Sequence, residues 1–282
     1  MKLKLPCVDC MTPGKEGNAD SLISSLPLGD DCIYEVKCSA GHSAVIHTQN
    51  FKFDLLFESG IQALRDGYHR EAVTSFAVAL ERFYEFSVGI LIIDKLKPQN
   101  SGQFDLQALE KYVKLWKNPL KLSEKQLGAF YSLYFNEFDE SPMLFDEAFS
   151  KSLKHKTVPN PTNFRNRVVH EGYVPTYDEA VQYGEAVHHY MDALLGIYTE
   201  KDRMRELPRT YYMTFLELAL SFMKRKEDIR HLPGTGIPTF LQPSFHADRS
   251  IKNLSDYVKY VHKDETITEG VESIQVLATV AM

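Results

Sequence analysis

The sequence predicts a mainly α-helical protein with a small β segment at its N-terminus, and three observations carry that prediction. From Phe51 onward, apolar residues recur three and four apart, the spacing of helices that bury one stripe. Prolines, glycines and capping side chains cut this pattern into pieces of helical length. All four cysteines, by contrast, fall within the first 38 residues, beside a short alternating run at Tyr34 and Val36.

At the N-terminus, Cys7-Val8-Asp9-Cys10 is a C-x2-C knuckle, and Cys38-Ser39-Ala40-Gly41-His42 reads as a second knuckle ending in an imidazole. Tyr34 and Val36 alternate with polar neighbours, as in a strand that delivers Cys38, and Ser43 to His47 can form the return strand. The stretch 13–18 reads as a mobile loop. The arrangement resembles a zinc ribbon, in which two turns present four ligands tetrahedrally. Cys7, Cys10, Cys38 and His42 are the preferred ligands. Cys32 is the alternative, either replacing His42 in an all-cysteine site or standing as an ordinary buried thiol. Four protein ligands leave no position for substrate, so the zinc reads as structural. A segment of about forty residues buries too little apolar surface to fold unaided, and metal would supply the missing stability.

Phe53, Leu56, Phe57, Ile61 and Leu64 recur at helical intervals and end near Gly67. Ala72, Val73, Phe76, Leu80, Phe83, Tyr84 and Val88 mark the inner face of a longer helix that closes at Pro98. Gly60 to Leu80 resembles one tetratricopeptide unit, but no further copies follow at a fixed period, so a single helical hairpin is expected. Helical patterns return over 104–117, 123–138 and 143–154, the first and third expected at the periphery. Thr176-Tyr177-Asp178-Glu179 is a capping box for a long helix with Ala180, Val181, Val187, Met191, Leu194 and Leu195 on its apolar stripe. His188 and His189 are adjacent, point to different faces and read as core or surface histidines. Another helix is expected after Pro208, and a short one over 251–262. The expected division is a zinc-ribbon-like segment at 1–50, a helical domain at 51–230 and an irregular C-terminal extension at 231–282.

The chemistry concentrates in Arg165-Asn166-Arg167-Val168-Val169-His170. Pro159 and Pro161 break what precedes, Thr162 or Asn163 can cap the new helix, and Gly172 suits its left-handed end. Asn166 and His170 share a face, while Arg165 lies about 140° around from His170. No carboxylate occurs between Glu147 and Glu171, whereas Lys151, Lys154, Lys156, Arg165 and Arg167 all fall there. In a chain of net charge -6, that reversal of sign points to an anionic ligand, phosphate being the commonest.

Arg-Asn-x3-His, followed by Glu-Gly-Tyr and flanked by long helices, resembles the signature of the HEPN superfamily over roughly residues 51–199. The resemblance implies a HEPN-like helical bundle, and many members are metal-independent endoribonucleases of toxin–antitoxin, CRISPR-linked and anti-phage systems. It further implies a homodimer in which two motifs form one cleft, and a neutralising or effector protein partner. RNA brings its own nucleophile, the 2'-hydroxyl, so cleavage needs a proton-moving group and a fixed cation rather than bound metal. His170 would be the general acid/base, Arg165 the phosphate clamp and Asn166 the group that orients them. Arg167, Lys154 and Lys156 would hold the RNA backbone, and Tyr173 could stack a base or pack the helix end. Glu81 and Arg82 resemble the polar pair of the helix facing the motif and would support it, with Glu81 on Arg165 or Arg167. Lys201, Arg203, Arg205 and Arg209 extend the basic character, diluted by Asp202 and Glu206.

Two other readings stay open: a non-catalytic HEPN-like nucleic-acid-binding or scaffolding protein, and a zinc-ribbon adaptor whose helical body recognises protein. An acidic balance argues against broad coating of nucleic acid and for a local site. No run of some 18 apolar residues appears, so no membrane partner is expected. The start of the sequence lacks the apolar core of a signal peptide, and a cytoplasmic protein is expected.

Overall fold

The structure is a computed structural model that describes residues 2–7, 23–27, 29, 33–47, 50–93, 106–120, 122–152, 157–200, 229–230 and 254. The loop expected at 13–18, the helix expected after Pro208, the basic stretch 201–209 and, apart from helical Leu254, the helix expected over 251–262 lie outside the described residues.

Strands β1 (Lys2–Pro6) and β2 (Ile23–Pro27) form an antiparallel pair, Lys2 opposite Pro27. Strands β3 (Ile33–Lys37) and β4 (Ser43–His47) form a second, with Lys37 opposite Ser43 across the Cys38–His42 turn. Tyr34 and Val36 are buried while Glu35 and Lys37 are exposed, the alternation of a strand with one covered face. A two-residue strand, β5 (Ile229–Arg230), pairs parallel to β4 and completes a three-stranded sheet.

The rest is helical: α1 (Lys52–Arg65), α2 (His69–Ile93), α3 (Leu106–Lys117), α4 (Ser123–Phe138), α5 (Phe145–Ser152), α6 (Pro161–His170) and α7 (Tyr177–Glu200). Helices α1 and α2 form a hairpin, and α2 also packs on α4, α6 and α7. That central place follows from its composition: Ala72, Val73, Phe76, Leu80, Phe83, Val88 and Ile90 bury most of its surface, while Glu81, Arg82 and Glu85 keep one side partly exposed. The Phe76 ring sits between the backbones of α1 and α7. A Cβ added at Gly60 would lie 2.5 Å from one edge of the ring, and one at Gly184 would lie 2.7 Å from the other. Leu254, fully buried, would meet that same added Cβ at Gly184 at 2.6 Å, so the C-terminal region supplies a core residue.

Helix α5, expected at the periphery, instead packs on α6 and α7 through buried Phe145 and Phe149. Two phenylalanines four apart give even an eight-residue helix one apolar edge. Helix α3 behaves as a one-sided surface helix, burying Tyr112 and Trp116 and exposing Lys111 and Lys114. On α7 the expected stripe is buried except for half-buried Leu195, and Tyr183, Tyr190 and Tyr198 are buried with it. Burial pushes these three hydroxyls well above the ordinary phenol range and keeps them uncharged. The expected capping box is present: Thr176 N–H donates to Glu179 Oε2 at 2.8 Å, and Glu179 N–H donates to Thr176 Oγ1 at 3.3 Å. No helix among the described residues is long and apolar enough to cross a membrane.

Candidate functional site

Helix α6 is fastened at its start, its back and its end. Its cap is Asn160, whose Oδ1 accepts from Asn163 N–H at 2.7 Å; Thr162 and Asn163, the expected caps, lie inside the first turn. The reason is Pro161: proline fits the first helical position, where no donor is needed, so the capping position falls to the residue before it. Asp146 of α5 accepts from Thr162 N–H at 3.2 Å, from Thr162 Oγ1 at 2.9 Å and from Asn160 Nδ2 at 3.2 Å. Gln182 of α7 accepts from the Thr157 and Val158 N–H groups at 3.0 and 2.8 Å. Phe164 and Val168 bury the back of the helix. At its end Gly172 adopts φ +75°, a conformation a side chain would resist, and Tyr173 N–H reaches back to the Arg167 carbonyl at 3.1 Å.

This anchoring presents a polar cluster. Arg165 Nη1 donates to Asn166 Oδ1 at 3.1 Å and lies 3.4 Å from His170 Nε2; Nη2 donates to Glu81 Oε1 on α2 at 2.7 Å. The reach of the guanidinium closes the angular gap between positions 165 and 170. A guanidinium only donates, so this contact is a hydrogen bond in the tautomer that leaves Nε2 unprotonated. The Arg165 and Glu81 side chains are about a quarter exposed, 26% and 25%, and His170 is exposed. Arg82 takes another direction: it donates to Glu85 at 2.6 Å and to Gln126 Oε1 at 3.1 Å, and Gln126 in turn holds the Leu120 carbonyl at 2.9 Å. Its contacts therefore tie α2 to α4 and not to the motif helix.

The acid-free stretch of sequence does not make an acid-free surface. Glu81 pairs with Arg165, Asp146 accepts from Thr162 in the first turn of α6, and Glu179 approaches Arg167 from α7. Lys154 and Lys156 lie outside the described residues. Arg167 is exposed, with Cζ 4.2 Å from the centroid of the Tyr173 ring. The Tyr173 hydroxyl donates to both Glu179 oxygens, at 3.0 and 3.1 Å, and that bond pushes it above the usual phenol range. Burial would raise Glu179, but the Thr176 N–H, the Tyr173 and Thr176 hydroxyls and the Arg167 charge together hold it below the usual carboxylate range.

At the other end of the chain, Cys7 Sγ and Cys38 Sγ lie 3.8 and 3.5 Å from His42 Nδ1. The turn that sets them is closed by Cys38 N–H donating to the His42 carbonyl at 3.1 Å and Gly41 N–H donating to the Cys38 carbonyl at 3.0 Å. The three ligand atoms fall within 4.8 Å of one another and could hold a metal ion. Cys10 and Cys32 lie outside the described residues.

Asp146, Asn160 and Gln182, which set the start of α6, escaped the sequence reading. Only Asn160 carried a local signal, the Asn-Pro pair that opens a helix; the other two act across the fold. The chain matches no protein-family model, no curated protein and no solved structure.

Proposed function

We propose that this chain is a metal-independent endoribonuclease that cleaves RNA through its 2'-hydroxyl, on a HEPN-like helical bundle that works as a homodimer. The supporting observation is the cluster at the end of α6, where one guanidinium nitrogen meets Asn166 at 3.1 Å and His170 at 3.4 Å. In the proposed reaction His170 takes the proton from the 2'-hydroxyl, and that oxygen bonds the adjacent phosphorus. The 5'-oxygen leaves with a proton from the second protomer's imidazole, and the products end in a cyclic phosphate and a 5'-hydroxyl. Arg165, with five N–H groups, keeps donors for the phosphorane oxygens beyond those directed at Glu81, Asn166 and His170. A toxin or anti-phage setting, with a neutralising protein partner, accompanies this reading.

Cys7, Cys38 and His42 are read as three ligands of a structural zinc, with Cys10 or Cys32 as the fourth. Zinc bonds sulfur at about 2.3 Å and imidazole nitrogen at about 2.0 Å, so a tetrahedral site separates the two by roughly 3.5 Å. The observed 3.5 and 3.8 Å fit that set.

One observation favours a second reading, a non-catalytic nucleic-acid-binding member of the same fold. Arg165 is already engaged by Glu81 at 2.7 Å, so a phosphate must share or displace that carboxylate. Purified wild type, His170→Ala and Arg165→Ala on mixed RNA in EDTA separate the two, with helical circular dichroism as the fold control. Each variant is expected to cut about 10²- to 10⁴-fold more slowly, and wild-type fragments to end in cyclic phosphate. Cutting that survives His170→Ala overturns the assignment.

A further inference from the structure

Arg167 and Tyr173 form an assembly that the cleavage chemistry leaves unused. The backbone bond from Tyr173 to the Arg167 carbonyl, 3.1 Å across Gly172, folds the chain so that the Tyr173 ring comes under the Arg167 guanidinium, 4.2 Å away. The ring is held from two sides: its hydroxyl donates to Glu179 at 3.0 and 3.1 Å, and Phe164 lies edge-to-face with it at a centroid distance of 6.2 Å. The Arg167 guanidinium lies over one face of the Tyr173 ring, and Arg167 is exposed while Tyr173 is half-buried, so the pair meets solvent at the arginine. A guanidinium is planar, delocalised and weakly hydrated, and unpaired bases stack on it. Arg167 and His170 are three apart, about 60° around α6 and about 4.5 Å along its axis, so they share a side.

We propose that the Arg167–Tyr173 stack is a base platform. It seats one unpaired nucleobase of single-stranded RNA beside the phosphate that His170 addresses, and Arg167 is then a specificity-determining residue that selects unpaired over paired RNA. The identity of that phosphate rests on the ribonuclease reading; the platform itself rests on the stack. A simple phosphate contact at position 167 would need only charge, which lysine supplies. A platform needs the plane, which lysine lacks.

The test uses the full chain and two uncleavable labelled probes of equal length: a single-stranded 2'-O-methyl oligonucleotide and its abasic counterpart. Arg167→Lys is expected to bind the base-carrying probe roughly tenfold more weakly than wild type does, and the abasic probe equally well. Tyr173→Ala, which removes the support beneath the guanidinium, is expected to show the same base-dependent loss. If Arg167→Lys binds the base-carrying probe as tightly as wild type, the platform is overturned, and so it is if wild type binds neither probe. Wild type that cuts RNA while Arg167→Lys binds normally leaves the nuclease standing without the platform. Base-dependent loss in a protein that cuts nothing supports the platform and removes the nuclease.

Discussion

In the helical bundle, the groups with chemistry sit on a scaffold that has its own reasons to fold. Behind Arg165 and His170 lie Phe164, Val168, Tyr183 and the α2 core, and none of these needs the polar cluster to be buried. In the N-terminal strands the order is reversed. Buried Cys7 and its neighbours Cys38 and His42 are themselves the centre, with Tyr34 and Val36 as the buried apolar side chains of β3. One region spends apolar area to hold polar groups in place; in the other, on the proposed zinc reading, polar groups hold the chain. The two should therefore fail separately.

The largest expected effect tests that separation. On the proposed structural-zinc reading, Cys38→Ser should lower bound zinc from about one per chain toward none and remove a binding free energy on the order of 10 kcal/mol that would help the β3–β4 hairpin fold. Amide exchange should accelerate in residues 33–47 while the helical signal stays; helices that melt with the hairpin would break the comparison. Next comes Phe76→Ala, which empties the space between Gly60 and Gly184 and should cost about 3–5 kcal/mol in denaturant unfolding with metal content unchanged.

His188 sharpens the comparison through pH. Burial beside Phe57 pushes its imidazole down to about 4, against Asp192, which raises it. The unfolded chain binds a proton below roughly pH 6.5 that the folded chain refuses until about pH 4. Stability of the bundle is therefore full above pH 6.5 and falls as pH drops toward 4, by up to about 3 kcal/mol. His188→Gln should flatten that slope when helix unfolding is followed at pH 7 and pH 4.5; an unchanged slope refutes it. The smallest effect is Asn160→Ala, which removes the α6 cap and should cost about 1 kcal/mol, read as a lower melting temperature.

What could be read in the sequence was whatever is decided locally. The end of α1 near Gly67, the start of α7 at the Thr176–Glu179 box, the bend at Gly172 and the β3–β4 hairpin each follow from a few neighbouring residues. The motif residues could be named for the same reason, and so could the pairing of Glu81 with Arg165 as one of two choices. Hidden were the facts settled by distant elements: Asp146 and Gln182 at the start of α6, Arg82 turning toward Gln126, and Leu254 against Gly184. The three buried tyrosines of α7 were missed because a hydroxyl-bearing ring suits either surface or core until its neighbours are known. Charge misled most. A window free of carboxylates along the chain says nothing of those that fold across it.

The parallel pairing of β5 with β4 bears on how the molecule is made. The two strands are separated by about 180 residues, so at ribosomal speeds β4 waits roughly 10–35 s for its neighbour. During that interval a nascent chain presents an open row of backbone donors and acceptors next to its thiols. Early metal capture, or a companion that shields that edge during synthesis, would therefore raise the yield of this protein.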